Sequence, residues 1–481
     1  MKPSLIAVLI STSSLLGMSG CTLGPDFHTP PTSLGAHWRQ PDSGATHSRA
    51  VAGEVDNQWW QGFGDAQLSA LLADARANNL DLRVAASHVE QSIAARATVT
   101  AHRLPSVGAT GGYSRARSSQ RGLMDISGND GKQNYSVWNT GLNLNWEADL
   151  WGRVRRSVEA ADASVQVSIE EQHAAMVSIM AQVARDYIQL RGTQNSLKVT
   201  LQNLDIARHS LGLTRARLGQ GVATDLEVSQ SAALVAAIDA RVPVLEQQAN
   251  VLINALSFLT GREPGALSSE LSPVRAIPAG PANVPVGLPS ELARRRPDIR
   301  RAEADLHAAT AVIGVAQADF YPRITLSGSA GFQATQLSNL GSWASRSFAF
   351  GPGLSVPIFE GGRLQGQLQL RESRQQEAGI AYQRTVLAAW HEVDNALSGY
   401  QADQRRHQSL ELAVTQSRHA LASAQEQYAQ GTVDFLNVLT VQNALLADQA
   451  ALVQSTADVS LTLVSLYQAL GGGWQQQALV R

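Results

Sequence analysis

The sequence contains two tandem copies of one pattern, which constrains its fold more than any other feature. Glycines of the first copy recur 210 residues later without a gap, so that Gly152, Gly221 and Gly261 correspond to Gly362, Gly431 and Gly471. Upstream, Leu80 and Pro105 correspond to Pro297 and Pro322 at an offset of 217, so the second copy is seven residues shorter between Pro322 and Gly362. Each copy is expected to be one supersecondary unit that needs its neighbour to bury an apolar face.

Composition excludes several classes of function. Only 16% of the 481 residues are charged and the formal net charge is −2, so nothing favours nucleic acid as a partner. The 11 histidines form no HxH or HExxH pattern, there is no GxxxxGK phosphate loop, and a single cysteine rules out a CxxC site. We therefore expect no metal, no cofactor and no enzyme activity. A cell-wall hydrolase would need convergent carboxylates, whereas these lie along predicted helices at charge-pair spacing.

The N-terminus has the pattern of a bacterial lipoprotein signal. Residues 1–20 contain Lys2, an apolar run and then small residues that end directly before Cys21. We interpret 1–20 as a cleaved signal peptide and Cys21 as the lipid attachment site; the alternative is an ordinary free or buried thiol. Residues 21–57 are predicted to be a lipid-anchored, extended tether rich in proline and glycine. Because no later run of 18 apolar residues remains, no helix is expected to cross a bilayer.

Each copy is predicted to contain a helix, a β-hairpin, a very long helix and a further helix. Strands are indicated by alternation, as in Trp138, Leu142 and Trp146 with asparagines between them, and Pro352 is expected to end or bulge the fourth strand. The expected ranges are repeat 1 at 58–262 (helix 67–103, hairpin about 105–147, long helix about 152–219, helix about 224–260), a proline-rich connector at 263–289, repeat 2 at 290–474 (hairpin about 322–358, long helix about 362–430, helix about 434–470) and a tail at 475–481.

The long helices are expected to pack as coiled coils. A helix from 152 to 219 would be about 100 Å long at 1.5 Å per residue, far more than a globular domain needs. Val438, Leu445 and Leu452 recur at intervals of seven and face a second apolar stripe that includes Val414 and Leu421. A soluble helical bundle would explain these stripes equally well.

The hairpins indicate an oligomer. Four strands from one chain cannot close a barrel, and an open strand edge cannot face lipid, so a membrane-spanning sheet requires several chains. Two chains would give 8 strands and a filled barrel, whereas three would give 12 and leave room for a channel. The residues alone do not decide between three chains and four.

The mature chain resembles the TolC-like outer-membrane factors, in particular their lipoprotein branch, known as NodT or OprM-type. The resemblance rests on Trp59-Trp60 with Phe63 and Asp65, the stretch 295–303 (RRPDIRRAE), Phe320-Tyr321-Pro322, Pro357-Ile358-Phe359 and 469–474 (ALGGGW). It implies a mainly α protein with a small transmembrane β part, assembled as a homotrimer with a 12-stranded β-barrel in the outer membrane of a Gram-negative bacterium. A periplasmic α-helical coiled-coil tunnel would continue the barrel and receive small toxic compounds from an inner-membrane pump through a periplasmic membrane-fusion adaptor protein.

The resemblance also assigns roles to the two helix-to-helix turns. Gly221 and Gly431 are expected to end the long helices in left-handed conformations, and Thr224 or Asp434 to cap the helices that follow. By resemblance these turns dock the adaptor, and the assigned residues are Gly219, Gly221, Thr224, Leu226, Gly431 and Asp434.

The resemblance places a constriction at Leu436, Asn437, Thr440 and Asn443. Relatives often carry Asp or Arg at the last three positions, whereas this chain has neutral groups, so an apolar ring of Leu436 is the expected closure. The hydroxyl of Tyr428 is expected by resemblance to bond Glu227 and hold the mouth shut. The alternatives are that Leu436 is seam packing and Tyr428 a coiled-coil knob.

Two functions therefore compete. The first is an outer-membrane channel of a tripartite efflux system, a passive conduit. The second is a structural periplasmic coiled-coil lipoprotein without a pore, which would not need paired strands with one lipid-compatible face.

Overall fold

The computed structural model describes residues 22–31, 38, 48–51, 53, 55–121 and 133–474. The signal peptide, Cys21, most of the tether between 32 and 47 and the tail at 475–481 lie outside the described residues. The helices and strands, in chain order, are β1 (Arg49–Val51), α1 (Ala66–Asn78), α2 (Leu80–Thr100), β2 (Ser106–Arg117), β3 (Asn134–Ala148), α3 (Arg153–Gly219), α4 (Asp225–Asp239), α5 (Val242–Leu259), α6 (Ser268–Leu271), β4 (Asn283–Pro285), α7 (Leu292–Arg295), α8 (Pro297–Ala318), β5 (Arg323–Ala334), β6 (Arg346–Ser355), α9 (Arg363–Ala429) and α10 (Phe435–Ala469).

The duplication is visible in the elements themselves. The long helices α3 and α9 have 67 residues each, and their first residues, Arg153 and Arg363, stand at the offset of 210. The glycines that follow them, Gly221 and Gly431, have φ of 74° and 72°. A side chain with a Cβ is strained in this left-handed region, which is why glycine ends both helices.

The seven residues missing from the second copy belong to its hairpin connection. Arg115 pairs with Ser136 in the first hairpin, and the equivalent Phe332 pairs with Arg346 in the second. Twenty residues therefore separate the first pair along the chain and thirteen the second. Between these pairs and the adjoining helices, the strands of the two hairpins pair at equivalent positions. The second copy is therefore shorter only in the segment that connects its two strands.

The chain divides into two compact units, and the first contains the sheet. This unit comprises the described residues of 1–30, 89–168 and 302–382. Its four strands are antiparallel throughout, in the order β2-β3-β5-β6. The strands β2 and β6 are therefore edge strands within the chain.

The sheet has one apolar and one polar face, because side chains alternate along each strand. The apolar face is continuous across all four strands, as the aligned positions Val107, Leu144, Gly328 and Phe350 illustrate. The opposite face consists mainly of Ser, Thr, Asn and Gly, and its charged residues, Glu147 and Arg323, stand at the end next to the helices. Several large side chains of the apolar face are solvent-exposed in the single chain, with Phe350 82% exposed, whereas Trp138, Trp146 and Phe332 are half-buried.

The second unit is helical and comprises the described residues of 31–88, 169–301 and 383–474. One of its core clusters joins α9 to α10 through Val414, Leu421, Phe435, Val438 and Leu445. These are the two apolar stripes predicted to face each other. Leu204, Ala207 and Ile238 form the corresponding cluster between α3 and α4.

The connector and the described residues 48–51 of the tether are more ordered than their composition predicts. Arg49–Val51 of the tether forms a parallel strand pair with Asn283–Pro285 of the connector. The connector also contains the short helix α6. Backbone hydrogen bonding between Arg49–Val51 and Asn283–Pro285 fixes these two short segments against each other.

The single helix predicted at 67–103 is interrupted. Asn79 has φ −60° and ψ 130° and separates α1 from α2. Its buried Nδ2 donates to the carbonyl oxygen of Leu259 at 2.8 Å. In the second copy the equivalent residue, Arg296, separates helix α7 from helix α8. Its Nη1 donates to the carbonyl oxygen of Ala469, also at 2.8 Å. Both repeats thus use a buried side chain to bind the last carbonyls of the repeat's final helix.

The helix predicted at 224–260 is also two helices. The break falls between Asp239 and Val242, directly before Pro243. Proline lacks the N–H that would bond the carbonyl four residues earlier, which explains the break. The second copy has Val453 at this position, and α10 runs without interruption.

One helical stretch, Asp225–Leu259, is long and apolar enough to cross a bilayer by length and composition alone. Length and composition therefore do not exclude a spanning helix here, and the expectation that no helix crosses a bilayer stays a prediction. Counting unbroken apolar runs missed the stretch because charged and amide residues, among them Asp239, Arg241 and Glu246, interrupt it.

Pro352 neither ends nor bulges its strand. The strand β6 continues through it to Ser355, with Pro352 opposite Leu326. Within the single chain β6 is an edge strand, which is the position in a sheet where proline is tolerated.

Candidate functional site

The first helix-to-helix turn is held by a capping box. The backbone N–H of Glu227 donates to Thr224 Oγ1 at 3.3 Å, and Glu227 Oε2 accepts from the backbone N–H of Thr224 at 2.6 Å. This reciprocal pair satisfies two helix N–H groups that would otherwise lack partners. Gly219, Gly221 and Leu226 are exposed around it, and so is the apolar Val222, which the sequence analysis did not single out.

The second turn has the same backbone but a weaker cap. Gly431 N–H donates to Tyr428 O at 3.1 Å, as Gly221 N–H donates to Leu218 O at 2.9 Å. Asp434 occupies the N-cap position, yet its side chain makes no capping hydrogen bond. Of the two predicted caps, only Thr224 acts as one.

The predicted constriction residues lie on the exposed side of α10. Phe435, Val438 and Leu445 are buried on the packed side, while the predicted gate residues Leu436, Asn437, Thr440 and Asn443 are exposed. Leu436 is 56% exposed and does not belong to the apolar contact between α9 and α10 within the chain. Leu436, Thr440 and Asn443 share one stripe, since residues three and four apart are neighbours on a helix. Their role as a gate stays a prediction.

Tyr428 packs within the chain rather than bonding Glu227. Its ring lies 5.5 Å from that of Phe435, and the guanidinium of Arg217 stands 4.4 Å from the Tyr428 ring centroid. Within the described residues of the single chain, Tyr428 and Glu227 make no hydrogen bond with each other. The carboxylate of Glu227 instead accepts hydrogen bonds from Thr224. Arg217 was missed by the sequence analysis; a cation in the last turn of a helix is the signal that could have found it.

The start of α3 holds the residues that follow Cys21. Leu23 N–H donates to Trp151 O at 3.1 Å, and the buried Arg156 donates through Nε to Leu23 O at 2.9 Å and through Nη2 to Asp26 at 2.7 Å. The segment after Cys21 is therefore fixed where β3 passes into α3. Within the residues described, no three His, Cys, Asp or Glu side chains converge as metal ligands.

A duplicated helical chain, with four antiparallel strands that have one exposed apolar face and two free edges, defines an outer-membrane channel subunit. The chain belongs to the outer membrane efflux protein family, whose model matches residues 71–262 and 288–472.

Individual relatives match over nearly their whole length. The outer membrane protein OprJ of Pseudomonas aeruginosa is 33% identical over 470 residues, which cover 96% of this chain and 95% of OprJ. The pyoverdine export outer membrane protein OpmQ of the same species is 33% identical over 479 residues, 98% of each chain. The solved structure of the outer-membrane channel OprN superposes with a TM-score of 0.88 at 34% identity, covering 94% of this chain and 100% of OprN.

These similarities confirm three expectations from the sequence. The family is that of the outer-membrane efflux factors, the fold class is mainly α with a small β part, and the protein is an outer-membrane efflux channel component of a Gram-negative bacterium.

Proposed function

We propose that three copies of the chain join their sheets into one 12-stranded barrel, continued by a periplasmic helical tunnel. The assembly is a passive conduit for small toxic compounds, which an inner-membrane pump delivers through a periplasmic adaptor. The observation that carries this proposal is the four-stranded sheet with an exposed apolar face, a nearly uncharged polar face and two free edges. Lipid can contact the first face and water the second, but only closure with other copies satisfies the edges.

The same sheet argues against the alternative, a structural lipoprotein without a pore. A periplasmic spacer in water gains nothing from exposing Phe348, Phe350 and Leu354, which are 70%, 82% and 68% exposed in the single chain. An exposed apolar patch of this kind indicates contact with lipid or another protein.

The proposed lipid anchor fits the contacts of the N-terminal segment. Arg156 and Trp151 fix Leu23 next to the end of β3, two residues after Cys21. An acyl chain on Cys21 would therefore emerge close to the membrane-facing sheet. A single chain binds membranes only marginally, so it would add to the barrel's own insertion.

The adaptor is proposed to dock at the two turns. Val222 and Leu226 are 69% and 66% exposed at the first turn. Apolar side chains at the tip of a helical pair offer a contact for another helical protein. Docking at the turns would place the adaptor next to the proposed gate on α10.

The function is tested by deleting the chain and by crosslinking from the turns. Deletion should raise sensitivity to a panel of toxic compounds, and the full-length chain should restore tolerance. A photo-reactive residue at Leu226 should capture an adaptor in cells, whereas the same residue at Leu412, which is similarly exposed but lies on α9, should not. Unchanged sensitivity in a strain without a second such channel would contradict the proposal.

The gate is tested by Leu436→Gly together with Thr440→Gly. Removing both side chains widens a closed mouth, so passive conductance of the purified channel in a planar bilayer should rise. The pair Leu412→Gly and Thr415→Gly makes the same two changes at exposed positions of α9 and should leave the conductance unchanged. Equal closed-state conductance in wild type and the Leu436 variant would remove the gate assignment.

A further inference from the structure

Two arginines stand at equivalent positions near the outer end of the sheet, which is the end remote from the helices that adjoin its strands. Arg115 of β2 pairs with Ser136, and Arg346 of β6 pairs with Phe332. These two pairs are equivalent in the duplication, so the arginines occupy the same level of the two hairpins. We call Arg115 and Arg346 the rim arginines.

The rim arginines belong to the apolar face of the sheet. Alternation puts Arg115 on the same side of β2 as Val107, and Arg346 on the same side of β6 as Leu354. Each arginine is eight residues from that apolar residue, which is about 27 Å of strand at 3.4 Å per residue. At a strand tilt of about 40° this corresponds to a height of roughly 20 Å, close to the 25 Å apolar band of an outer-membrane barrel. The guanidinium groups therefore stand where the headgroup region begins.

The two ends of the sheet differ in how their arginines are neutralised. Next to the helices, arginines form ion pairs with carboxylates, namely Arg153 with Glu147, Arg155 with Asp149, Arg323 with Asp319 and Arg363 with Glu360. Neither rim arginine forms an ion pair with a carboxylate of the described residues. The second hairpin has no Asp or Glu from 320 to 359, and 104–146 and 324–359 together contain five basic residues against two acidic ones. The outer end therefore carries an excess of positive charge.

The turn before β6 holds the guanidinium of Arg346 in a fixed orientation. Its central carbon lies 3.9 Å from the ring centroid of Trp343, and its Nη1 donates to the carbonyl oxygen of Trp343 at 2.8 Å. Ser345 Oγ closes the same turn by donating to the carbonyl oxygen of Asn339. A guanidinium has five N–H donors in its plane, and the indole covers a face of this plane rather than its edge. Donors along the edge are thus left to bind an anion.

We propose that the rim arginines bind phosphate groups of lipopolysaccharide in the outer leaflet. The proposal rests on the barrel proposed above, which puts the apolar face in the membrane and the helices in the periplasm. The lipid A part of lipopolysaccharide carries its phosphates directly above its acyl chains, at the level of these arginines. Arginine fits a phosphate through two parallel N–H···O bonds.

Exposed aromatic side chains near the rim arginines fit the same ligand. Trp343 is 78% exposed beside Arg346, and Tyr113, two residues before Arg115 on the same face, is 52% exposed. The Tyr113 ring lies 4.3 Å from that of Trp138. Tryptophan and tyrosine favour the boundary between acyl chains and headgroups, where one end of the ring is apolar and the other wet. They would contact the upper acyl chains while the arginines bind the phosphates.

Binding is measured by native mass spectrometry of the full-length channel, after exchange into mild detergent free of lipopolysaccharide. Wild type should bind added diphosphoryl lipid A. Arg346→Gln together with Arg115→Gln should weaken this binding by about tenfold or more, because charge-assisted hydrogen bonds are lost. Arg405→Gln removes the same charge from an exposed position of α9 and should bind like wild type. A native gel checks that each variant keeps the oligomeric state of wild type.

Two further probes identify the chemical group and its source. Lipid A without its phosphates should bind wild type about as weakly as diphosphoryl lipid A binds the double variant. Inorganic phosphate in large molar excess should leave diphosphoryl lipid A bound to wild type. Displacement by inorganic phosphate would assign the rim arginines to a soluble anion and overturn the lipid site.

The outcomes separate the lipid site from the channel. Equal affinity of wild type and the double variant for diphosphoryl lipid A overturns the site, and so does equal affinity of wild type for lipid A with and without phosphates. An equal loss in the Arg405 variant would mean that overall charge, not the rim, governs binding. In each case a trimer on the native gel leaves the channel proposal intact. A wild-type chain that stays monomeric and does not insert into lipid vesicles overturns both.

Discussion

At the scale of single residues, Tyr467 shows how the helical core fixes its chemistry. Its ring is 2% exposed and stacks on Trp59 at a centroid distance of 5.2 Å. Burial, with a smaller effect of Tyr400 and Asp56, raises the pKa of the Tyr467 hydroxyl to about 12. The unfolded chain would ionise this group near its ordinary pKa of about 10.

We expect this tyrosine to make the fold sensitive to alkali. Because the folded pKa is raised, its contribution to stability is complete below about pH 10 and is lost as the pH rises towards 12. The loss for two pKa units is roughly 2–3 kcal/mol. Tyr467→Phe should flatten the fall in the unfolding midpoint between pH 9.5 and about 11.5, measured by circular dichroism. An equal fall in both proteins would assign the alkaline sensitivity to other groups.

At the scale of elements, the two turns offer a matched comparison of helix caps. Thr224 caps α4 through its side chain, whereas Asp434 stands at the same position of the second repeat without a capping bond. Thr224→Ala should destabilise the first turn of α4 by about 1 kcal/mol. Asp434→Ala should cost less, since only its charge near the helix N-terminus is lost, about 0.3–1 kcal/mol.

Hydrogen exchange of the first-turn amides measures both effects. Protection should fall at residues 225–228 in the Thr224 variant, and by a smaller factor at 435–438 in the Asp434 variant. Equal losses of amide protection at the two turns would mean that the capping box at Thr224 stabilises its helix no more than the charge of Asp434 stabilises the other.

The order of elements could be predicted from the sequence because glycines and prolines mark their ends in both copies. Gly221 and Gly431 require φ values that other residues avoid, so they locate the turns without knowledge of the fold. The strands could be predicted because alternation fixes which side chains share a face.

The helix breaks could not be predicted in the same way. Asn79 interrupts a helix because its side chain finds the carbonyl of Leu259, a contact between residues 180 positions apart. The equivalent Arg296 has a different side chain, so comparing the copies gave no signal. Pro243 could have indicated the break between α4 and α5. The second copy has Val453 at this position, however, so comparing the two copies favoured an unbroken helix. At the candidate gate, the exposure of Leu436 depends on which face of α10 packs against α9. The sequence pattern alone therefore left open whether Leu436 is exposed or packed.

At the scale of the whole molecule, the proposed trimer explains why α4 and α5 are apolar yet exposed. Val244, Val251 and Phe258 recur at intervals of seven on α5 and are 53%, 53% and 66% exposed. Such spacing is typical of a helix that packs along another helix. Little of this stretch is buried in the single chain, although it is apolar enough to cross a membrane. We therefore interpret the stripe as a contact with a neighbouring copy.

Val251→Asp should weaken the trimer without unfolding the chain. An exposed position tolerates the change within about 0.5 kcal/mol in the isolated chain. In the trimer each of the three equivalent contacts would lose the burial of one valine, roughly 1.5–3 kcal/mol, and would also desolvate a carboxylate. Heating in mild detergent should dissociate this variant at a lower temperature than wild type, as followed by native electrophoresis. Asn250→Asp adds the same charge at the neighbouring exposed position and should dissociate close to the wild-type temperature. If both variants dissociate like wild type, the stripe faces water or a different protein in the assembled channel.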